Sequence, residues 1–107
     1  MAKYSLLGAA LFSSLASAES LVVDLTKETF SQTVLSFPYD HSWFIRFYAP
    51  WSNDSKEMNA TWEQFGLENA EFVNVGDVNC TLEWELCKKY RVAEYPSLFY
   101  FEQLDAA

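Results

Sequence analysis

A strand-forming run passes directly into a helix-capping run in residues 43–55, which read WFIRFYAPWSNDS. Residues 43–48 are almost all apolar or aromatic, a pattern typical of a strand buried on both faces, and Pro50 ends it. Residues 52–55 are four consecutive types that favour a helix N-cap. The sequence therefore predicts a buried strand that leads straight into a helix.

This helix carries one apolar stripe, and other strands and helices alternate around it. Met58, Trp62 and Phe65 are spaced i, i+4 and i+7, and Gly66 is predicted to stop the helix. The other predicted elements are a strand at 21–23, a helix at 27–36 capped by Thr26, a strand at 72–78, a helix at 82–90 with Leu82, Leu86 and Tyr90 on one side, and a strand at 97–101. The alternation predicts an α/β fold with parallel pairing.

Length and composition exclude several classes of protein. The chain has 107 residues, which allow one small domain. Its 15 acidic and 7 basic residues give a formal net charge of −8, which argues against nucleic acid or an anionic membrane surface as partner. One histidine, His41, and two cysteines exclude three-histidine and four-cysteine zinc sites, and no nucleotide-binding loop occurs. We therefore expect neither a metal nor another cofactor.

Residues 1–18 have the pattern of a secretory signal peptide. Lys3 precedes an apolar stretch from Tyr4 to Phe12, and Ala16-Ser17-Ala18 ends the segment. A buried first helix is the alternative. The stretch is shorter than the ~20 residues that span a bilayer, and no second apolar span follows. Residues 19–107 are therefore expected in the endoplasmic reticulum lumen or outside the cell.

Three local strings, in this order and spacing, resemble thioredoxin domains of the protein disulfide isomerase family, including its J-domain-bearing reductases. They are Phe47-Tyr48-Ala49-Pro50-Trp51, Val78-Asn79-Cys80-Thr81 and Tyr95-Pro96-Ser97-Leu98. The resemblance covers nearly all of residues 19–107 and implies a thioredoxin-like α/β fold. It also implies a further strand and a covering helix after the fourth strand, so the domain is expected to be truncated there. We expect the missing elements to come from further chain or from a partner, or the fold to be marginal.

The resemblance also implies that the family's redox site is degenerate here. Active members carry a Cys-x-x-Cys after the tryptophan, and Ser52 and Ser55 occupy those positions. Because a hydroxyl cannot form a disulfide, no catalytic residue is predicted there. Arg46 stands where the family has a buried acidic residue for proton transfer. A hydrolytic role for Ser52 would need His41 as base and a third group, and helix capping is favoured instead.

Cys80 and Cys87 are the chain's two cysteines, separated by six residues. In an oxidising lumen such a pair most simply forms a structural disulfide. A redox-active pair and two free thiols are the alternatives.

Trp51, Tyr95 and Pro96 are the predicted substrate groove. The resemblance implies that Pro96 follows a cis peptide bond and lines this groove, whereas a trans proline at a strand start is the alternative. With a cis bond, the backbone groups of Tyr95 are expected to be free to pair with an extended peptide.

Three Asn-x-Ser/Thr motifs are candidate N-glycosylation sites, at Asn53, Asn59 and Asn79. Asn59 is expected on the helix side away from Met58 and Trp62 and is the preferred acceptor. A glycan on Asn53 would obstruct the degenerate active-site loop, and pairing of Cys80 would compete with modification of Asn79.

Two functional hypotheses follow. In the first, the chain is a redox-inactive module of the secretory pathway that binds unfolded or partner polypeptides during protein folding. In the second, it belongs to a longer thiol–disulfide oxidoreductase whose Cys-x-x-Cys lies elsewhere, or it exchanges disulfides through Cys80 and Cys87.

Overall fold

The structure, a computed structural model, describes residues 20–35 and 42–102. Three segments lie outside the described residues: 1–19, 36–41 and 103–107. They include the predicted signal peptide, the last residue of the helix predicted at 27–36, and His41. Within the described ranges, no helix has the length and apolarity needed to cross a membrane.

A four-stranded sheet forms the centre of the molecule, and its strand order is β1-β3-β2-β4. The strands are β1 (Val22–Asp24), β2 (Trp43–Tyr48), β3 (Asn74–Asn79) and β4 (Ser97–Phe101). The run at 43–48 and the run at 97–101 therefore form strands as predicted. β1 and β2 both pair with β3 in parallel.

The prediction of parallel pairing is wrong for β4, which pairs antiparallel with β2. The helix before it, α3 (Trp84–Lys89), has six residues and β3 also has six. β4 begins with Ser97 opposite Phe47, near the carboxyl end of β2, and ends with Phe101 opposite Trp43. The chain therefore re-enters the sheet at the carboxyl end of the parallel strands and does not cross back to their start.

The helices pack on both faces of the sheet. They are α1 (Lys27–Thr29), which continues as a π-helical segment (Phe30–Val34), α2 (Asn53–Glu68) and α3. The predicted cap at Thr26 is confirmed, because its hydroxyl accepts from the Thr29 N–H at 3.2 Å while the Thr29 hydroxyl accepts from the Thr26 N–H at 2.8 Å. These reciprocal bonds fix the first turn of α1.

Gly66 does not stop α2, which continues to Glu68 and is capped by Asn69. A Cβ at Gly66 would lie 3.1 Å from Val22 Cγ2, so glycine here permits the close approach of α2 to β1. A turn in which Asn69 O accepts from the N–H groups of Phe72 and Val73 delays the start of β3 to Asn74.

The third helix also begins later than predicted. The N–H groups of Leu82 and Glu83 both donate to Asn79 O, so a turn precedes Trp84. Leu82 was expected beside Leu86 and Tyr90, but its side chain is exposed, whereas Leu86 is buried and Tyr90 is half-buried against the core.

Alternation along β2 divides the core between the two sheet faces. Trp43, Ile45 and Phe47 belong to the larger apolar cluster, with Phe30 and Leu86. Phe44 packs with the smaller cluster of Val22, Trp62 and Val75 beneath α2. Arg46 has the same parity along the strand as Phe44 and is buried too, so a charge lies where the pattern calls for an apolar side chain.

Candidate functional site

Ser52 caps α2 and also bonds the loop before β4. Its Oγ accepts from the Ser55 N–H at 3.3 Å and donates to the carbonyl oxygen of Tyr95 at 3.2 Å. The Ser52 N–H in turn donates to Ala49 O at 3.0 Å. The predicted capping role is therefore confirmed, and the Ser52 hydroxyl also connects two segments distant in sequence.

Ser55 is buried, with 1% of its surface exposed. Its Oγ accepts from the Ala49 N–H at 3.3 Å. A buried hydroxyl held in this way cannot reach an external polypeptide. Of the two serines at the degenerate active-site positions, only the half-buried Ser52 lies near the surface.

Trp51, Tyr95 and Pro96 come together at the carboxyl end of β2. Trp51 is 65% exposed and its ring meets the Tyr95 ring edge-on, with 5.5 Å between centroids. The Tyr95–Pro96 peptide bond is cis. The grouping of these three predicted groove residues thus places an exposed indole beside the backbone of residue 95.

The backbone of Tyr95 is only partly free. Its carbonyl oxygen accepts from Ser52, which differs from the expectation that both polar groups are open. Within the described part of the chain, its N–H makes no hydrogen bond. One donor and the second lone pair of the carbonyl thus remain for an incoming strand.

Arg46 lies beneath this site and is 3% exposed. Its Nε and Nη2 donate to the two carboxylate oxygens of Asp77 at 3.0 and 2.9 Å. Its Nη1 donates to Ser55 O at 3.3 Å and to Asn59 Oδ1 at 2.9 Å. The guanidinium also lies 4.6 Å from the centre of the Tyr48 ring. The cation thereby joins β2, β3 and the first two turns of α2.

Ionisation of the neighbouring groups reflects their burial. Burial raises the pKa of the Asp77 carboxyl, and the hydrogen bonds and charge of Arg46 oppose that rise. Burial, with the negative charges of Asp77 and Asp24, also raises the pKa of the Tyr48 hydroxyl. The resemblance singled out Arg46, whereas Asp77 and the hydrogen bond from Arg46 to Asn59 were not predicted. The available signal was one charge of each sign in two strands that are otherwise buried.

Cys80 and Cys87 form a disulfide, so the alternative of two free thiols is wrong. The bond connects the residue after β3 to α3, and the two residues are 6% and 4% exposed. Exchange requires a thiolate to reach one sulfur, and this burial opposes it. Among residues 20–35 and 42–102, no group of three His, Cys, Asp or Glu side chains is placed to hold a metal ion.

This chain is similar in sequence to thioredoxin domains and to disulfide isomerase-like proteins. A family model described as Thioredoxin matches residues 21–107. The protein disulfide isomerase-like 5-1 of Oryza sativa is 33% identical over 82 residues, which cover 75% of this chain and 54% of the rice protein. The DnaJ homolog subfamily C member 10 of Mus musculus is 29% identical over 82 residues, covering 77% and 10%.

The crystal structure of the Trx4 domain of ERdj5 matches with a TM-score of 0.75 and 26% identity. The match covers 82% of this chain and 75% of that one. The expected thioredoxin-like α/β fold is therefore confirmed. The chain spans about half of the rice protein and a tenth of the mouse protein.

Proposed function

Because this chain belongs to the thioredoxin family, we propose that it is a redox-inactive, disulfide-isomerase-like module that binds extended polypeptide segments at Trp51, Tyr95 and Pro96. Its compartment is the endoplasmic reticulum lumen, as the signal-type N-terminus, the Cys80–Cys87 bond and the likeness to disulfide isomerases suggest together.

One observation carries the proposal: the site keeps an exposed indole and a Tyr95 N–H that makes no hydrogen bond to any described residue, while serines replace both thiols. An extended segment pairs its backbone with residue 95 and rests an apolar side chain on Trp51. The hydrogen bond from Ser52 to Tyr95 O holds the loop in place for this pairing. Since neither serine attacks a disulfide, the segment is bound and released unchanged.

A fluorescent, reduced and alkylated polypeptide tests this proposal by fluorescence anisotropy. Trp51→Ala removes an exposed side chain and is expected to weaken binding about fivefold or more, the equivalent of about 1 kcal/mol. Phe72→Ala is the matched control, because Phe72 is 72% exposed and lies before the start of β3, at the opposite end of the sheet. Equal affinities of wild type and Trp51→Ala would contradict the proposed site.

A second candidate is favoured by the partial coverage of the relatives, 54% of the rice protein and 10% of the mouse protein. In it, this module is part of a longer thiol–disulfide oxidoreductase whose Cys-x-x-Cys lies elsewhere. Exchange through Cys80 and Cys87 is a distinct version, and insulin reduction by this chain tests it. If the wild type reduces insulin and the Cys80→Ala/Cys87→Ala variant does not, exchange through these two cysteines is favoured. If the wild type does not reduce insulin, the redox-inactive module is supported.

A further inference from the structure

We propose that Asn59 is the N-glycosylation acceptor of this chain and that Arg46 orients its side-chain amide for the attached sugar. Asn59 is exposed on the second turn of α2, and its Oδ1 accepts from Arg46 Nη1 at 2.9 Å. The inference rests on the proposed function only for the luminal compartment. It does not depend on peptide binding.

The hydrogen bond fixes which end of the amide faces outward. Because Oδ1 accepts from the buried guanidinium, Nδ2 lies on the other side of the amide group, away from that donor. N-glycosylation uses this nitrogen. Nδ2 attacks the anomeric carbon of a pyrophosphate-linked oligosaccharide, the N–C bond forms as the C–O bond to the pyrophosphate breaks, and Nδ2 gives up one proton to a base of the transferase.

The linkage is compatible with the buried network. The product amide keeps its carbonyl oxygen, so the bond from Arg46 survives modification. Asn59 is seven residues beyond Ser52, about 10 Å further along the helix axis. A glycan there leaves the surface of Trp51 and Tyr95 open, whereas a glycan on Asn53, the first residue of α2, would stand beside Trp51.

Asn79 is a poor acceptor in the folded chain. It is half-buried, and its Oδ1 accepts from the Thr81 N–H at 2.9 Å. The middle residue of its motif, Cys80, is buried in the disulfide. The Oδ1 of Asn59 also accepts a hydrogen bond, but Asn59 is exposed and so is Ala60, the middle residue of its motif.

Translation of the full chain with microsomes tests the assignment through endoglycosidase-sensitive mobility and intact mass. Thr61→Ala destroys the motif but keeps the Asn59 side chain, whereas Thr61→Ser preserves the motif. We expect one glycan on the wild type, retained in Thr61→Ser, Asn53→Gln and Thr81→Ala and lost in Thr61→Ala. A glycan that persists in Thr61→Ala overturns the proposal.

Protease protection separates the two possible failures. A chain that is protected inside the vesicles but carries no glycan overturns the assignment of Asn59 and leaves the luminal compartment standing. A chain that is accessible to protease overturns both. The orienting contact has its own readout in unmodified protein: Asn59→Ala is expected to lower the denaturation midpoint and Thr61→Ala to leave it unchanged. An unchanged midpoint in Asn59→Ala would overturn the role of Arg46.

Discussion

Arg46 is costly to bury, and its surroundings compensate that cost with four hydrogen bonds. Removing a charge from water costs several kcal/mol, which an ion pair offsets only when its remaining donors are also satisfied. Asp77 takes two of the four bonds, and Ser55 and Asn59 take one each. The ion pair of Arg46 with Asp77 therefore joins β2 to β3, and the other two hydrogen bonds of Arg46 hold the start of α2 against these strands.

Arg46→Met is expected to lower the free energy of unfolding by about 3–5 kcal/mol at neutral pH, because the Asp77 carboxylate stays buried without its partner. Arg46 lowers the pKa of Asp77, so its loss raises that pKa further. The folded state then binds this proton more tightly than the unfolded state. The stability that protonation of Asp77 contributes is fully present below the pKa of this carboxyl in the unfolded chain. It is lost as pH rises through the pKa of Asp77 in the folded chain. Urea unfolding at about pH 5 and about pH 8 measures the change.

The double variant Arg46→Met/Asp77→Asn is the control, because its residue 77 cannot ionise. Protonated aspartic acid resembles asparagine, so the single and double variants should have similar stabilities at the lower pH and diverge at the higher one, where the double variant is the more stable. The same gap at both values would show that Asp77 is not the titrating group.

At this scale the residue types predicted a helix cap within residues 52–55, and the resemblance placed Arg46 at a position that is buried in the family, but neither predicted its partner Asp77. Asp77 lies opposite Arg46 only because β2 and β3 pair in parallel with these residues in register. Pairing register depends on tertiary packing, which no local pattern encodes. The hydrogen bond from Ser52 to Tyr95 was missed for the same reason, since the two lie 43 positions apart in the sequence.

Gly76 in β3 and Gly66 in α2 differ in the atoms that an added Cβ would contact. A Cβ at Gly76, in the middle of β3, would lie 2.7 Å from Leu25 Cδ1, 3.1 Å from Trp43 Cζ3 and 3.3 Å from Val23 O. The end of Leu25 can shift, but the Trp43 ring is held in the core and the Val23 carbonyl belongs to a paired strand. Gly76 therefore sets the spacing between the sheet and the apolar cluster.

Gly76→Ala is expected to cost about 1–3 kcal/mol through overpacking. Gly66→Ala is the comparison: its Cβ would meet only Val22 Cγ2 closely, at 3.1 Å, and alanine gains about 1 kcal/mol in a helix. We expect that second change to stay within about 1 kcal/mol of wild type. Urea midpoints measure both variants, and an equal loss in the two would refute the distinction.

The sequence pattern predicted the bounds of β2 and β4, because Pro50 follows one run, Pro96 precedes the other, and nearly all residues of both runs are apolar or aromatic. It failed at Gly66, which acts through its contact with β1 instead of through helix termination. It also failed for the direction of β4, which depends on where the chain re-enters the sheet rather than on the residues of the strand itself.

In the whole molecule, the net surface charge opposes self-association and the exposed sheet edge favours it. Within the described residues β4 pairs only with β2, so its outer edge is unpaired. Phe99 and Phe101 pack on the core, whereas Leu98 and Tyr100 are 46% and 55% exposed on the other face. An apolar edge strand favours association with other chains. The formal net charge of −8 keeps copies apart by repulsion.

Self-association is therefore expected to rise with salt, as the Debye length falls from about 30 Å at about 0.01 M to about 3 Å at about 1 M. Leu98→Lys separates the two contributions, since it reduces the net negative charge, which favours association, but places a cation on the edge strand, which opposes it. Leu67→Lys makes the same change of charge on α2, where Leu67 is 53% exposed. Sedimentation velocity should find Leu98→Lys monomeric at high salt and Leu67→Lys associated. If the two variants associate equally, net charge governs association and the β4 edge does not.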